Sequence, residues 1–544
     1  MPAKIFSNAK ILIVEEQPLA QSYMKQSLEG LGFRQLRFAE HANSAKEQCQ
    51  IEQFDLIVCS FNLSKQQDGY QLYEELKMKR LIKNSTGFIF ISAETSGSLV
   101  HSVLELQPDD FLVKPFTINE LKNRIEKVLM RKNNLHQVYQ LIDDENDSKA
   151  IKKIDELLQN KSHSFSAILL RLKGDALLRL KRNEEAKTFF KSVLDIQKFT
   201  WAKVGLVEAL IACNEHSLAQ RMLKTMLQRS ETRLVALDLL SRLEIKLNKY
   251  DEAQQLISQA VDIAPRNINR QKALSHVSLL NHDYEKNYLT QKDIATYAKF
   301  SIHDHPDIYL NAARAGIDFA LTTDQSDQIN RISRQTNQYL NDLKKQFPNS
   351  NNQTQIDVLN ARLHYLKDEH QKAKALINQL DESDTQIRSV DGALDKAKAF
   401  HELGFHQKAQ RLFNQIIDHC ERHPYVSDPV YLRYIQQQQT ERRDIKLGPK
   451  ELNNHAVTQF NKGQLNTALE AFTQAFRVMP KNASIALNLL QCLFDTNNQG
   501  QSFNLSLARK CFTLLASQEL EYEQAIRFEK IKAQADKLNI KLTE

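Results

Sequence analysis

The sequence contains little glycine and proline for its length, with 13 glycines and 11 prolines among 544 residues. Leucine, alanine, glutamine, lysine and glutamate are plentiful instead, which favours helix through most of the chain. Because a chain of this length is too long for a single core, at least two structural units are expected.

Cysteine is also scarce, since the six cysteines are scattered and form no CxxC pair. This pattern excludes a secreted disulfide scaffold and predicts a reduced, cytoplasmic protein. Cys59, Cys213 and Cys492 are expected to be buried thiols. No stretch approaches the roughly 18 uninterrupted apolar residues of a transmembrane helix, and the start of the chain lacks a basic segment followed by an apolar run. Neither export nor a membrane span is expected.

An excess of charge of one sign is absent as well, because the formal net charge is only +7. Short basic clusters at residues 77–83 and 131–132 are more typical of solvated helix faces than of nucleic-acid sites. Zinc-finger spacings and a clear helix-turn-helix are missing. We therefore predict no nucleic-acid partner.

The first 130 residues contain short apolar runs separated by helix-length segments, which is typical of a doubly wound parallel sheet. Residues 35–39 supply one strand. The other four runs each end in polar residues: 10–14 before Glu15 and Glu16, 55–59 before Ser60, 88–91 before Ser92, and 111–113 before Lys114. Because ligands bind at the carboxyl ends of the strands in such sheets, these side chains are expected to share one site.

This arrangement, with the Lys114-Pro115 dipeptide, resembles the receiver domain of two-component response regulators. The resemblance implies a five-stranded flavodoxin-like fold. In that family an acidic pair holds magnesium, an aspartate accepts phosphate, a Ser/Thr hydroxyl meets the phosphoryl group and a lysine neutralises it. Here Ser60 stands at the position of the phosphoaccepting aspartate. Phe111 aligns with the family's switch aromatic and is interpreted either as that switch or as a packing residue.

Phosphoryl transfer to a receiver needs a carboxylate nucleophile and a divalent cation, and a serine hydroxyl supplies no comparable charge. Magnesium also tolerates poor ligand geometry badly. We therefore expect no acyl phosphate and no cofactor beyond weak Mg²⁺ binding at Glu15 and Glu16. The alternatives are a working metal site or a remnant in which Lys114 holds the glutamates as an ion pair and Ser92 is structural.

Beyond residue 165 the chain carries a repeated pattern of small residues, aromatics and prolines that resembles tetratricopeptide repeats. Ala186, Ala219 and Ala253 recur at close to the period of about 34 residues that these repeats have. Small residues are needed where paired helices cross closely, and stacked pairs form a superhelix. The predicted packing residues are Gly174, Ala186, Trp201, Gly205, Ala253, Pro265, Ala409, Ala468, Phe472 and Pro480.

These patterns predict a multidomain protein: a receiver at residues 1–130, a helical connector at 131–165 and an all-α tetratricopeptide superhelix at 166–544. Between residues 266 and 355 the pattern fades, which indicates degenerate repeats or an insertion, with an independent domain as the alternative. The predicted function is a non-enzymatic signalling adaptor of the two-component or phosphorelay type. Its repeat groove would bind a protein, and its receiver would meet a histidine kinase or another signalling protein. The alternative is a phosphorylation-independent scaffold or assembly factor that uses the receiver as a docking or dimerisation cap.

Overall fold

The architecture is taken from a computed structural model of the chain. It describes residues 8–63, 67–94, 97–159, 164–322, 326–380, 387–425, 427–498, 503–518, 520–538 and 540–542. Within these ranges, no helix combines the length and the apolar character needed to cross a membrane.

The N-terminal domain alternates five strands with five helices. The strands are β1 (Lys10–Val14), β2 (Gln35–Ala39), β3 (Leu56–Ser60), β4 (Gly87–Ser92) and β5 (Asp110–Val113). The helices are α1 (Pro18–Gly30), α2 (Ala42–Ile51), α3 (Gly69–Met78), α4 (Gly97–Glu105) and α5 (Ile118–Asn134). Pro18 fits the first turn of α1 because its missing N–H would have no partner there. Asp68 caps α3 in a reciprocal capping box with Gln71.

The strands form one parallel sheet in the order β2-β1-β3-β4-β5. The register pairs Val14 with Cys59, and Ser60 with Ile91. This order places the ends of β1, β3 and β4 side by side. The doubly wound sheet predicted from the sequence is therefore confirmed, and its carboxyl edge collects the polar residues that follow the strands.

Alternate residues of the central strands fill two separate cores, because both faces of the sheet are covered by helices. Leu12, Ile57 and Phe90 belong to the core under α2, α3 and α4. On the opposite face, Ile13 and Val58 belong to the core under α1 and α5. The apolar runs are nearly continuous in the sequence for this reason.

The described residues beyond the N-terminal domain are mostly helical. The helices are α6 (His136–Asp143), α7 (Asp147–Leu158), α8 (Ser166–Arg179), α9 (Asn183–Ile196), α10 (Thr200–Ala212), α11 (His216–Leu227), α12 (Ser230–Lys246), α13 (Tyr250–Ile263), α14 (Ile268–Leu280), α15 (Tyr284–Ala298), α16 (Pro306–Ala320), α17 (Ser326–Gln346), α18 (Gln353–Leu366), α19 (His370–Asn378), α20 (Val390–Glu402), α21 (His406–Arg422), α22 (Pro429–Asp444), α23 (Pro449–Asn461), α24 (Leu465–Val478), α25 (Ala483–Asn498), α26 (Leu505–Ser517) and α27 (Tyr522–Lys537).

Successive helices pack as hairpins, among them α9 with α10, α12 with α13, α16 with α17, and α23 with α24. The window 266–355, where the repeat pattern fades, contains the four helices α14 to α17. The chain divides into two compact units. Unit 1 comprises residues 1–270 and 297–304, and unit 2 comprises residues 271–296 and 305–544.

Candidate functional site

The carboxyl edge of the receiver sheet is occupied by an ion pair rather than by a group of carboxylates. Lys114 Nζ lies 3.0 Å from Glu15 Oε2. The same ammonium group lies 3.4 Å from Ser60 Oγ. The Glu15 side chain is 3% exposed, so it is removed from water and its charge is balanced by the lysine. The sheet thus brings together three of the residues predicted to share this site.

The other predicted site residues point elsewhere. Glu16 is exposed. Ser92 is buried, and its hydroxyl accepts a hydrogen bond from the Glu94 amide (3.0 Å) and donates to the Glu94 carbonyl (3.1 Å). The serine therefore organises its own loop. Phe111 is partly buried and packs against the core that contains Phe90.

The donor set at this edge does not fit a magnesium ion. One Glu15 oxygen accepts from Lys114 and the other accepts from the Gln17 amide at 3.1 Å. Across the described ranges, no group of three or more His, Cys, Asp or Glu side chains is arranged to hold a metal ion. Magnesium requires several oxygen ligands in near-octahedral geometry, which a single salt-bridged carboxylate does not provide.

Among the described residues at this edge, the Ser60 hydroxyl contacts an ammonium group and not a base. The ammonium group of Lys114 is a donor and cannot accept the Ser60 proton. Burial raises the pKa of the neighbouring Cys59 thiol, whose Sγ donates to the Ser60 carbonyl at 3.2 Å. A neutral hydroxyl and a neutral thiol are both weak nucleophiles.

Comparisons with known proteins agree with this fold. Residues 11–126 match the family model described as "Response regulator receiver domain". The chain is 30% identical over 175 residues to the transcriptional activator protein IrlR of Burkholderia pseudomallei, covering 31% of this chain and 74% of that protein. The chain belongs to the response regulator receiver family.

Two further relatives of this response regulator cover the receiver alone. Chemotaxis protein CheY-3 of Vibrio cholerae is 27% identical over 131 residues, which cover 24% of this chain and 99% of that protein. The crystal structure of a CheY-like receiver domain protein from Methanospirillum hungatei is 22% identical, with a TM-score of 0.21. It covers 23% of this chain and 97% of that one.

The repeat region of the response regulator also matches a known family, because residues 172–200 and 235–267 match the tetratricopeptide repeat model. The tetratricopeptide repeats predicted from the sequence are therefore confirmed, and the receiver domain indicates two-component signalling.

The repeat packing is closest around Phe190 of α9. This ring is fully buried. A Cβ atom at Gly174 would lie 2.4 Å from its Cε1 atom, and a Cβ atom at Gly205 would lie 2.2 Å from its Cζ atom. The centroids of Phe190 and Trp201 are 6.4 Å apart. Two glycines on flanking helices thus leave the space that the aromatic ring fills.

The remaining predicted packing residues lie on several hairpins. Ala186, Ala253, Ala409 and Ala468 are fully buried, and Phe472 is 1% exposed. Pro265 and Pro480 are partly buried and follow the ends of α13 and α24. Ala253, Ala409 and Ala468 lie on the second helices of their hairpins, and Ala186 lies on the first helix of the hairpin of α9 with α10. At each of these buried positions a larger side chain would meet the neighbouring helix.

Sequence reasoning missed a buried charge cluster in unit 2. Arg362 is 1% exposed and donates to three carboxylates: Asp318 (2.8 Å), Asp395 (2.6 Å) and Glu402 (2.6 Å). Lys398 Nζ donates to Asp318 at 2.6 Å. A signal was present, because Arg362 and Lys398 each follow directly after a buried alanine at a repeat position, Ala361 and Ala397.

Unit 2 also contains a groove with a volume of about 900 Å³. Its lining is polar and includes Asp283, Glu285, Lys481, Asn482, Ser484 and Gln524. Lys481 forms an ion pair with Asp283 at 2.5 Å. The groove is large enough to receive an extended segment of another protein.

Proposed function

We propose that this response regulator is a non-enzymatic signalling adaptor in the cytoplasm whose receiver is not controlled by aspartyl phosphate. The observation that carries the proposal is the Lys114–Glu15 ion pair beside the Ser60 hydroxyl, at 3.0 Å and 3.4 Å. Where the family has a nucleophilic carboxylate, this chain has a hydroxyl whose described contact is with an ammonium group and not with a base. Glu15 already balances the positive charge of Lys114, so a phosphoryl group is not required to neutralise the lysine.

Protein binding would then be the output of both parts. Tetratricopeptide repeats suggest a protein partner in a groove such as the one in unit 2. The receiver exposes apolar side chains on α1, with Leu19 87% and Tyr23 55% exposed. An exposed apolar pair on a folded domain is a suitable contact for a histidine kinase or another signalling protein.

The proposal is tested by incubating the full chain with acetyl phosphate and Mg²⁺ and measuring its intact mass. We expect no mass increase, while a receiver with an aspartate at this position, treated in parallel, should gain one phosphoryl group. A hydroxylamine-labile phosphoryl group on the wild-type chain would refute the proposal.

The second function, a phosphorylation-independent scaffold, is favoured by one observation in unit 1. Gln71 on α3 donates to the main-chain carbonyls of Tyr297 (3.2 Å) and Lys299 (3.1 Å), so the receiver is docked on helical residues of its own chain. Binding to purified histidine kinase transmitter domains separates the two functions. An adaptor should bind at least one of them, and the variant Leu19→Ser/Tyr23→Ser should lose that binding, whereas a scaffold should bind none.

A further inference from the structure

Two arginines that follow α13 connect the repeats of unit 1 to the receiver. Arg266 forms an ion pair with Asp68, the N-cap residue of α3. Its guanidinium carbon also lies 5.3 Å from the ring centroid of Phe61 and 5.7 Å from that of Tyr70. A planar guanidinium group can pair with a carboxylate and stack on aromatic rings at the same time, which an ammonium group cannot.

The second arginine is held from both sides. Arg270, whose side chain is 4% exposed, forms ion pairs with Glu105 at the end of α4 and with Asp238 on α12, the latter at 2.7 Å. It also donates to the Ala264 carbonyl at 2.9 Å. Burial opposes its charge, but the hydrogen bonds and charges of Asp238 and Glu105 outweigh burial and raise the pKa of Arg270. Asp238 would still balance Arg270 if the receiver moved away.

One face of α3 makes the remaining contacts. Asp68, Gln71 and Glu74 are spaced by three residues, so they lie along the same side of the helix. Gln71 donates to the carbonyls of residues 297 and 299, and Glu74 lies 3.2 Å from His303. The contact therefore involves a continuous stripe of the receiver.

This stripe begins next to the position of the missing phosphoacceptor. Phe61 follows Ser60 directly, and its carbonyl accepts from the Gly69 amide at 2.8 Å. A Cβ atom at Gly69 would lie 2.6 Å from the Ser60 carbonyl oxygen, so the start of α3 is packed against the end of β3. A change at the end of β3 would thus move the residues that Arg266 holds.

We propose that the α3 face of the receiver occupies a recognition surface of the repeats, here called the arginine surface and formed by Arg266, Arg270, His303 and the carbonyls of residues 297 and 299. The chain is then self-bound, which means that its receiver covers its own arginine surface. Another protein can bind this surface only when the receiver dissociates from it. This proposal rests on the proposed adaptor function, whose regulation it describes. Its tests use no external partner and no phosphate, so failure of either idea is recognised separately.

The chemistry of the surface defines what could replace the receiver. Arg266 needs a carboxylate with an aromatic ring beside it, and the backbone carbonyls need a donor one helical turn further on. A competing protein would therefore present an acidic helix N-terminus followed by an aromatic residue. Because the contacts are polar and partly exposed, salt should weaken the self-bound state.

The first test neutralises the receiver side in the full chain with the variant Asp68→Asn/Glu105→Gln. Asparagine caps a helix about as well as aspartate, so α3 itself is kept. The control, Glu29→Gln/Glu47→Gln, removes the same two charges from exposed positions on α1 and α2. We expect amide exchange in residues 69–78 and 297–304 to become at least about tenfold faster in the test variant only, as loss of charge-assisted hydrogen bonds implies. Unchanged exchange at residues 297–304 would refute the proposal.

The second test asks whether the surface is occupied. A fluorescent peptide with the sequence of residues 67–78 should bind the neutralised full chain at least about tenfold more tightly than the wild type, because the wild-type surface is already filled. Adding Arg266→Ala to the neutralised chain should abolish that binding. Equal affinity for both chains, or no binding to the neutralised chain, would contradict the proposal.

Discussion

The hydroxyl of Ser60 lies 3.4 Å from an ammonium group that is itself 3.0 Å from Glu15. A carboxylate at position 60 would compete with Glu15 for Lys114 and would raise the negative charge at the strand edge. We predict that Ser60→Asp gains magnesium affinity. Part of the Ser60→Asp protein should also accept a phosphoryl group when it is treated with acetyl phosphate. Calorimetric titration with Mg²⁺ and intact mass measure the two effects.

Ser60→Asn is the control for that experiment, because asparagine has the size and shape of the aspartate in Ser60→Asp but carries no charge. It should neither bind magnesium nor gain mass. If Ser60→Asp also binds no magnesium, the ion pair of Glu15 with Lys114 is too stable to be displaced, and Glu15 has a purely structural role.

His401 in unit 2 is a second residue whose environment determines a measurable property. It is buried, and its Nε2 atom lies 2.7 Å from the Ile445 carbonyl, to which the neutral imidazole donates. Burial, together with the charge of Arg442, lowers the pKa of His401 to about 3 from 6.5. Between pH 6.5 and 3, His401 therefore stays neutral in the folded state and takes up a proton in the unfolded state. Its contribution to stability is full above pH 6.5 and is lost as the pH falls from there towards 3.

We predict that the urea midpoint of the wild type falls steadily between pH 6.5 and pH 5, and that the chain with His401→Gln shows a smaller change over the same range. Each pH unit below 6.5 should cost about 1.4 kcal/mol through this one group. The matched control is His455→Gln, at an exposed histidine of the same unit, which should keep the wild-type slope. A slope that His401→Gln leaves unaltered would show that other groups cause the pH dependence.

At the scale of the helical hairpin, the ring of Phe190 shows why the repeats need glycine. The ring has no room to move away from Gly174, because Gly205 approaches it from the other side. We predict that Gly174→Ala destabilises unit 1 by about 1–3 kcal/mol, the usual cost of overpacking a filled core. The fluorescence of Trp201, the single tryptophan of the chain, reports this unfolding directly.

Gly30→Ala is the control for this substitution, since nothing lies within 4 Å of the Cβ atom that it would add. It should be neutral or slightly stabilising. Adding Phe190→Leu to the Gly174→Ala chain should restore part of the lost stability, because leucine is smaller and has no ring. If no rescue is seen, the cost of the alanine comes from the backbone and the close packing is not its cause.

Most strands and helices of the receiver could be predicted from the sequence, because each apolar run ends at a polar residue on the same sheet edge. Ser60 and Lys114 were placed together for that reason. The repeat positions around Gly174 and Gly205 were found from their period, which depends on residues close in the chain. Both inferences use local patterns that recur along the sequence.

Charge pairs between residues far apart in the sequence could not be predicted, because local patterns do not show them. Arg266 meets Asp68 across 198 residues, and Arg270 meets Glu105 across 165. In the sequence, each of these arginines resembles any solvated helix residue. Arg362 follows the repeat alanine Ala361, but the carboxylates from two other helices that keep it buried could not be predicted from that position. Long-range charge pairing is a property of the folded chain and leaves no periodic signal.

At the scale of the whole molecule, both units have apolar cores, and unit 2 also buries a cluster of charges around Arg362. Burial raises the pKa of Asp318, but Lys398 and Arg362 more than compensate and lower it to about 2. Such a cluster tolerates the loss of no single member, because the remaining charges would be buried without a partner.

We therefore predict that Arg362→Met destabilises unit 2 by about 3–5 kcal/mol, the cost of leaving buried carboxylates uncompensated. Amide exchange in α16, α18 and α20 should accelerate, and the helical signal in circular dichroism should be lost at lower urea. The fluorescence of Trp201, which lies in unit 1, should shift less. Arg411→Met, at an exposed arginine of α21, is the matched control and should change stability by at most about 0.5 kcal/mol. An Arg362→Met chain as stable as this control would mean that the cluster does not hold unit 2 together.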